Sequence, residues 1–324
     1  MTTDVRNRTV ALIGCGRWGR NIARSLSRLG ALGLIIDPAG DALAPLAAEL
    51  GVAVLPDIDA ALANPDILAV AIAVPAADHA RVASQALSAG KHVFVEKPLA
   101  LELSDAESLA AQANAAGLTL MVGHLLQYHP AFVRLLELVR SGEIGELRHV
   151  TSNRLNPGAV RTEENALWSM APHDFSMILA LAGSEPEAVE AMAVRVIDPD
   201  VPDEYSVQLR FAHMTALARA SWISPFKEHK LVALGTTGAI VFEDTAPDPA
   251  DKLIIYRDYI DRTGSAPRFN KTAGERAAYP AGEPLMAELS WFLDVIAGER
   301  SSLTGPAEAI PVLKLLAAAS RAAA

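Results

Sequence analysis

Through the first 122 residues, apolar runs of four to eight residues alternate with longer amphipathic stretches, a rhythm that predicts strand and helix in repetition. Thr9 to Ile13 reads as a buried strand, Gly19 to Leu29 as a helix, and Leu32 to Ile36 as a second strand ending on Asp37. Ile67 to Val74 and His92 to Val95 read as further strands around a helical stretch from Asp78 to Ala89, and Thr119 to Val122 closes the series. Ser104 and Glu107 stand at capping-box spacing ahead of an alanine-rich helix. Strands separated by helices pair in parallel, so this part predicts a doubly wound α/β sheet.

Beyond Gly123 the rhythm changes. Pro130 to Ser141 looks helical, after which Leu147–Arg154, Ala188–Ile197, Tyr205–Phe211, Thr215–Trp222, Lys230–Gly235 and Ile254–Tyr259 alternate as strands with few helices between them. Antiparallel pairing is the natural result. Residues 264–282, rich in Gly, Pro and charge, predict a long loop, and Leu285–Ala297 and Ala307–Ala323 predict two closing helices. The pattern divides the chain into a domain over 1–122 and an α+β domain over 123–324.

Composition narrows the function. A formal net charge of −10 argues against nucleic acid or an anionic membrane as partner. The longest apolar runs fall short of the ~18 residues that span a bilayer, and residues 1–9 are polar, so a soluble cytoplasmic protein is expected. One cysteine excludes an intramolecular disulfide framework and a cysteine-rich zinc site. The eight histidines are dispersed, and no metal site and no G-x-S-x-G nucleophile motif is expected.

Two motifs carry chemistry. Gly14-Cys15-Gly16-Arg17-Trp18-Gly19 matches G-x-G-x-x-G between a strand and a helix. Gly14 makes the tight turn, Gly16 lets backbone approach a pyrophosphate, and Gly19 allows close packing of helix on strand. Asp37, twenty-one residues past Gly16, stands where an acid binds the adenosine ribose. Its carboxylate repels a 2′-phosphate, and Pro38-Ala39-Gly40 offers no arginine to hold one, so NAD is favoured over NADP. Cys15 is read as a small residue at a variable loop position rather than a redox thiol. The second motif, Glu96-Lys97-Pro98, follows the strand His92–Val95 and sets an amine at the carboxyl edge of the sheet, where open parallel sheets bind ligands. A surface Lys-Pro turn is the bland alternative.

With these residues, and with Ala73-Val74-Pro75 through His79, Gln127-Tyr128-His129-Pro130 and the later His173, the chain resembles the glucose-fructose oxidoreductase and inositol dehydrogenase family (Gfo/Idh/MocA) along essentially its whole length. The resemblance implies an N-terminal Rossmann domain that binds NAD(P). It also implies a C-terminal domain whose large, mostly antiparallel open sheet supplies the substrate pocket and often an oligomer interface. Carried over, Lys97 and His173 become the catalytic candidates, Pro75, His79 and Glu96 join Arg17 and Trp18 around the cofactor, and Tyr128 joins the substrate site. Histidine titrates near neutral pH and suits proton transfer, while a lysine ammonium stabilises charge developing on the reacting oxygen.

The family often has acids four residues before and three after the histidine; here Ser169 and Ser176 stand there, with Asp174 beside His173. The segment from Ser152 to Gly158, then Arg161 to Asn165, Leu167-Trp168-Ser169 and Ala171-Pro172-His173-Asp174, resembles the branch that oxidises C3 of UDP-N-acetylglucosamine or its uronic acid ahead of amination for diamino sugars of lipid A or surface polysaccharide. In that reading Arg154 and Arg161 supply cations for a diphosphate or uronate, Asn156 and Asn165 read hydroxyl or acetamido groups, and Trp168 stacks on a ring. Ordinary packing of Trp168, and pairing of the arginines with Glu163 and Glu164, stay open. Two rivals are a dehydrogenase of free sugars or inositol and a non-catalytic dinucleotide-binding regulator. A homo-oligomer and a functional link to a sugar aminotransferase are the partners the resemblance suggests.

Overall fold

The computed structural model describes residues 5–158, 160–161, 164–257, 259–261, 263–270 and 273–323. Its contacts divide the chain into two units, Met1–Tyr128 with Gly282–Leu313, and His129–Ala281 with Lys314–Ala324.

The first unit runs β1 (Val10–Ile13), α1 (Gly19–Arg28), β2 (Leu32–Ile36), α2 (Gly40–Leu50), β3 (Ala53–Leu55), α3 (Asp59–Leu62), β4 (Ala69–Ile72), α4 (Ala76–Ser88), β5 (His92–Val95), α5 (Leu103–Ala116) and β6 (Leu120–Val122). All five strand pairs are parallel, in the order β3-β2-β1-β4-β5-β6. The order reverses between β1 and β4, which opens the crevice where such sheets bind ligands. β1 and β4 are buried at every position, as a sheet covered on both faces demands. Helix α5 begins at Leu103, one residue before Ser104, so the expected capping box does not form.

The second unit contains α6 (Pro130–Arg140), β7 (Leu147–Pro157), α7 (Ala166–Met170), α8 (Pro172–Ala182), β8 (Ala188–Val194), β9 (Glu204–Arg210), β10 (Thr215–Ser221), β11 (Ile223–Gly235), β12 (Ala239–Glu243), β13 (Leu253–Tyr256), β14 (Ile260–Asp261), β15 (Arg268–Phe269) and β16 (Glu275–Arg276). Eight of these strands form one sheet in the order β16-β13-β12-β11-β7-β10-β9-β8, antiparallel except where β10 lies parallel to β7. Alternation along β7 turns Val150, Ser152 and Arg154 to the buried face, where α8 packs. The expected strand Lys230–Gly235 extends back to Ile223, with a register shift between Ile223 and Glu228 that accommodates Pro225. The expected loop over 264–282 contains two short strands, β15 and β16.

The closing helices α9 (Pro284–Ile296) and α10 (Pro306–Ala322) part from the expected division. Helix α9 and the first half of α10 belong to the first unit. Leu289, Phe292 and Leu293 are fully buried in the same core as Phe94, Met121 and Tyr128, with the rings of Phe94 and Phe292 5.7 Å apart. Each such side chain stabilises the unit by ~1.5–3 kcal/mol, and Arg6 anchors the helix through Asp294 at 2.6 Å.

Candidate active site

The glycine loop spans the crevice between β1 and β4. Gly14 has φ +89°, and a Cβ there would lie 2.7 Å from the Ala73 carbonyl carbon at the end of β4. A Cβ on Gly19 would meet the Gly14 oxygen at 2.3 Å, whereas one on Gly16 would meet nothing within 4 Å. The loop therefore needs glycine for its fold at two positions and presents open backbone at the third. Helix α1 follows with no acid in its first turn, so its positive end is left for an anion.

Asp37 is set by the backbone: its two carboxylate oxygens accept from the amides of Cys15 at 2.7 Å and Ala39 at 2.8 Å. A cleft of about 470 Å³ lined by Pro38, Gly40, Asp41, Ala44, Val54 and Pro56 adjoins it. These residues fit the pyrophosphate and adenosine end of NAD. Burial raises the Cys15 thiol above its ordinary value, against a nearby Arg20, which disfavours the reactive thiolate.

The Lys97 turn is built from the end of β5. The Lys97–Pro98 peptide is cis, and Leu99 and Ala100 behind it are buried. His79, 2% exposed, holds this turn to the end of β4: its Nδ1 lies 2.7 Å from the Pro98 carbonyl oxygen and its Nε2 3.0 Å from that of Val74. Both ring nitrogens face backbone oxygens, so His79, expected at the cofactor, is a tie between two strand ends. Burial, with the charge of Lys97 adding to it, lowers its pKa, although the two carbonyls favour the charged ring. Pro75 starts α4 beside it. The Trp18 indole donates to Glu96 at 2.6 Å, linking the glycine loop to the residue before Lys97.

Tyr128, expected at the substrate, is turned inward. Its hydroxyl pairs with Thr304 at 2.9 Å, its ring packs edge-on against Trp291, and it is 5% exposed inside the first unit's core.

In the second unit, His173 occupies the first turn of α8 after Pro172. Its neighbour Asp174 is buried, and accepts from the Arg154 guanidinium and the Ser152 hydroxyl. Arg154 lies opposite His229 on β11, and its Nη1 donates to His229 Nδ1 at 3.4 Å. Burial first, and then the Arg154 charge, push His229 down to about 4. Arg154 is thus an internal cation neutralised by an internal acid, and not the free anchor for a diphosphate that its sequence context suggests. Asn165 caps α7 through the Trp168 amide and donates to the Tyr205 hydroxyl at 3.3 Å. Trp168 donates its indole N–H to Ser320 at 3.0 Å. Asn156 is half-buried on β7. Arg161 is half exposed and pairs with Glu164 at 2.6 Å; Glu163 lies outside the described residues. Ser176 is 1% exposed and takes no part in a surface site. Among the described residues no three His, Cys, Asp or Glu side chains are placed to hold a metal ion, and no helix is long and apolar enough to cross a membrane.

Sequence reasoning does not single out Asp174 as the partner of Arg154; the alternation of Val150, Ser152 and Arg154 on one face of β7 is the available signal. It also misses Glu288, whose signal is an acid at the centre of the apolar helix α9.

Comparisons with known proteins identify the family. Residues 8–124 match the oxidoreductase family model with an NAD-binding Rossmann fold, and residues 132–241 match the GFO/IDH/MocA C-terminal domain. The chain is 27% identical to a UDP-N-acetylglucosamine 3-dehydrogenase of Acidithiobacillus ferrooxidans over 89% of this chain and 88% of the other. A solved structure of a protein with that name and source superposes with a TM-score of 0.84 at 26% identity, covering 97% of both chains. An inositol 2-dehydrogenase of Rhizobium meliloti is 30% identical over 73% of this chain and 76% of its own. GenD2 from gentamicin A biosynthesis, solved in complex with NAD, superposes with a TM-score of 0.81 at 26% identity, over 97% of this chain and 93% of the other. With a glycine loop and acid shaped for NAD and both domain models matched, the chain belongs to the Gfo/Idh/MocA family of NAD-binding oxidoreductases.

Proposed function

We propose that this oxidoreductase oxidises the C3 hydroxyl of a UDP-amino sugar, UDP-N-acetylglucosamine or its uronic acid, to the 3-keto sugar. The observation that carries the reading is the likeness, through both domains and 97% of each chain, to a UDP-N-acetylglucosamine 3-dehydrogenase. Bound NAD supplies the hydride acceptor. Gly14 and Gly19 shape the loop whose open backbone at Gly16, with Arg17, would hold its phosphates; Asp37 would hold its ribose, and Trp18, Pro75 and Glu96 shape the loop and turns around it. The Lys97 ammonium stabilises charge on the reacting oxygen, and His173 takes the hydroxyl proton as the carbon gives up hydride.

With Arg154 neutralised by Asp174, Arg161 is the more available of the two expected anchors. The Arg161 side chain is half exposed, which leaves its guanidinium open to a substrate phosphate beside Glu164. Asn156 lies on β7, two residues past Arg154, and is the candidate reader of sugar hydroxyls. A cytoplasmic homo-oligomer feeding an aminotransferase fits this chemistry, because a 3-keto sugar is reactive and must be consumed.

A second reading, oxidation of inositol or a free sugar, is favoured by the 30% identity to an inositol 2-dehydrogenase. Ser169 in place of one of the family's acids weighs against it, since a serine does not grip two hydroxyls as a carboxylate does. The test follows NADH absorbance with NAD and, separately, UDP-N-acetylglucosamine, its uronate and inositol, with an aminotransferase and glutamate to pull the equilibrium. A rate confined to a UDP-sugar supports the proposal. A rate with inositol alone overturns it, and NAD binding with no reduction on any substrate points to a non-catalytic regulator.

A further inference from the structure

Within the first unit, one titratable group has no place in the proposed chemistry. Helix α9 packs Leu289, Phe292 and Leu293 into the core, and between these apolar positions it buries Glu288 completely, at 0% exposure. Neither carboxyl oxygen of Glu288 has a hydrogen-bond partner among the described residues. Its charged neighbours are two further carboxylates, Glu96 and Glu308, and the Tyr128 phenol also faces Glu288.

The three acids are provided for unequally. Glu308 accepts from His124 Nδ1 at 2.6 Å, and its side chain is 20% exposed. Burial raises Glu96 too, but Glu96 accepts the Trp18 indole N–H at 2.6 Å and has the Lys97 charge, the Lys97 backbone amide and His124 beside it, all of which favour its ionised form. Gly123 leaves room there: a Cβ at that position would stand 3.0 Å from the Glu96 carboxylate, which would have to shift. Glu288 receives no donor from the described residues. An ionised carboxylate accepts only, and one buried without donors beside like charges takes up a proton rather than bear the desolvation. Burial first, then Glu96 and Glu308, raise Glu288 well above the ordinary carboxyl range.

We propose that Glu288 is a positioning residue that stays protonated, so that Glu96 keeps the negative charge with which it holds the Trp18 indole of the glycine loop and the turn that carries Lys97. Protonated Glu288 adds no like charge to the surroundings of Glu96. Once it ionises, like charges share one buried site, Glu96 loses its hold on Trp18, and the loop no longer presents a fixed surface to the dinucleotide. The proposal rests on NAD as cofactor and not on the identity of the sugar, so it stands or falls separately from the substrate assay.

The test measures NAD affinity of the full chain by calorimetry from neutral to alkaline pH, for wild type and Glu288→Gln. Glutamine keeps the shape and cannot ionise. Expected is equal affinity at neutral pH, within about twofold. On the alkaline side wild type should weaken by about tenfold, and Glu288→Gln should not. Cys15, in the loop itself, and Tyr128 also titrate at high pH, and the comparison cancels their contribution because both proteins carry them. Parallel profiles would overturn the proposal, as would a well-folded Glu288→Gln that binds NAD poorly at neutral pH. If the variant does not fold, the infrared spectrum of wild type decides. A protonated-carboxyl carbonyl band at neutral pH that Glu96→Gln retains and alkalinisation abolishes supports the proposal; its absence at neutral pH, or its loss in Glu96→Gln, overturns it.

Discussion

Removing the Asp174 carboxylate should destabilise the second unit by several times what an exposed ion pair contributes. Asp174 is 2% exposed and Arg154 8%, and the guanidinium donates to both carboxylate oxygens while Ser152 donates to one of them. In Asp174→Ala the guanidinium stays buried, and the bond it keeps among the described residues is the long one to His229, at 3.4 Å. Breaking a buried pair from one side costs ~3–5 kcal/mol, because the remaining charge is uncompensated. Removing both ends costs much less, so Arg154→Met combined with Asp174→Leu should recover most of the loss. Urea unfolding followed by circular dichroism measures each corner of this cycle, and the single variant should melt lower by roughly 2–4 °C per kcal/mol. Because Asp174 fixes the first turn of α8, where His173 stands, the same variant should lower kcat more than it raises KM. A loss below ~1 kcal/mol, the range of exposed ion pairs, would refute the reasoning. So would an Arg154→Met variant that keeps full stability and fails only on phosphorylated sugars.

Lys97→Ala and His173→Ala should each lower turnover ~10²–10⁴-fold while leaving NAD affinity near wild type, which fluorescence titration checks; equal turnover in either variant would remove that residue from the catalytic pair. Asp37→Ala should weaken NAD by ~1.5–3 kcal/mol and narrow its advantage over NADP, read from the two dissociation constants; unchanged preference would show that Asp37 does not set it. His229, held down at about 4 from an ordinary value of 6.5, binds fewer protons folded than unfolded. Its contribution to stability is therefore complete above pH 6.5 and is lost as pH falls towards about 4. His229→Gln should remove ~2 kcal/mol of that acid-side loss, after allowance for partial exposure of the ring, and unchanged unfolding free energies across this window would contradict it.

Features with local causes are legible in the residues alone. Gly14 and Gly19 are read directly because no other residue fits their turn, and Asp37 because it ends the next strand at a set distance from the loop. The alternating strands and helices up to Val122 specify a parallel sheet because burial on both faces demands continuous apolar runs. Lys97 stands out because Pro98 ends the strand behind it. Which polar groups meet is a matter of long-range packing. Only the docking of α9 shows that Phe292 and Glu288 belong to the core around Phe94, because the apolar face of a helix does not specify which sheet it will cover. Arg154 reads as a free cation until the parity of β7 turns it under α8 and onto Asp174, and Tyr128 reads as a ligand until Thr304 takes its hydroxyl. A side chain's charge and shape are written in its own residue. Its partner and its water are set by residues brought from far along the chain, and these decide whether the group binds substrate, positions a neighbour or holds a proton.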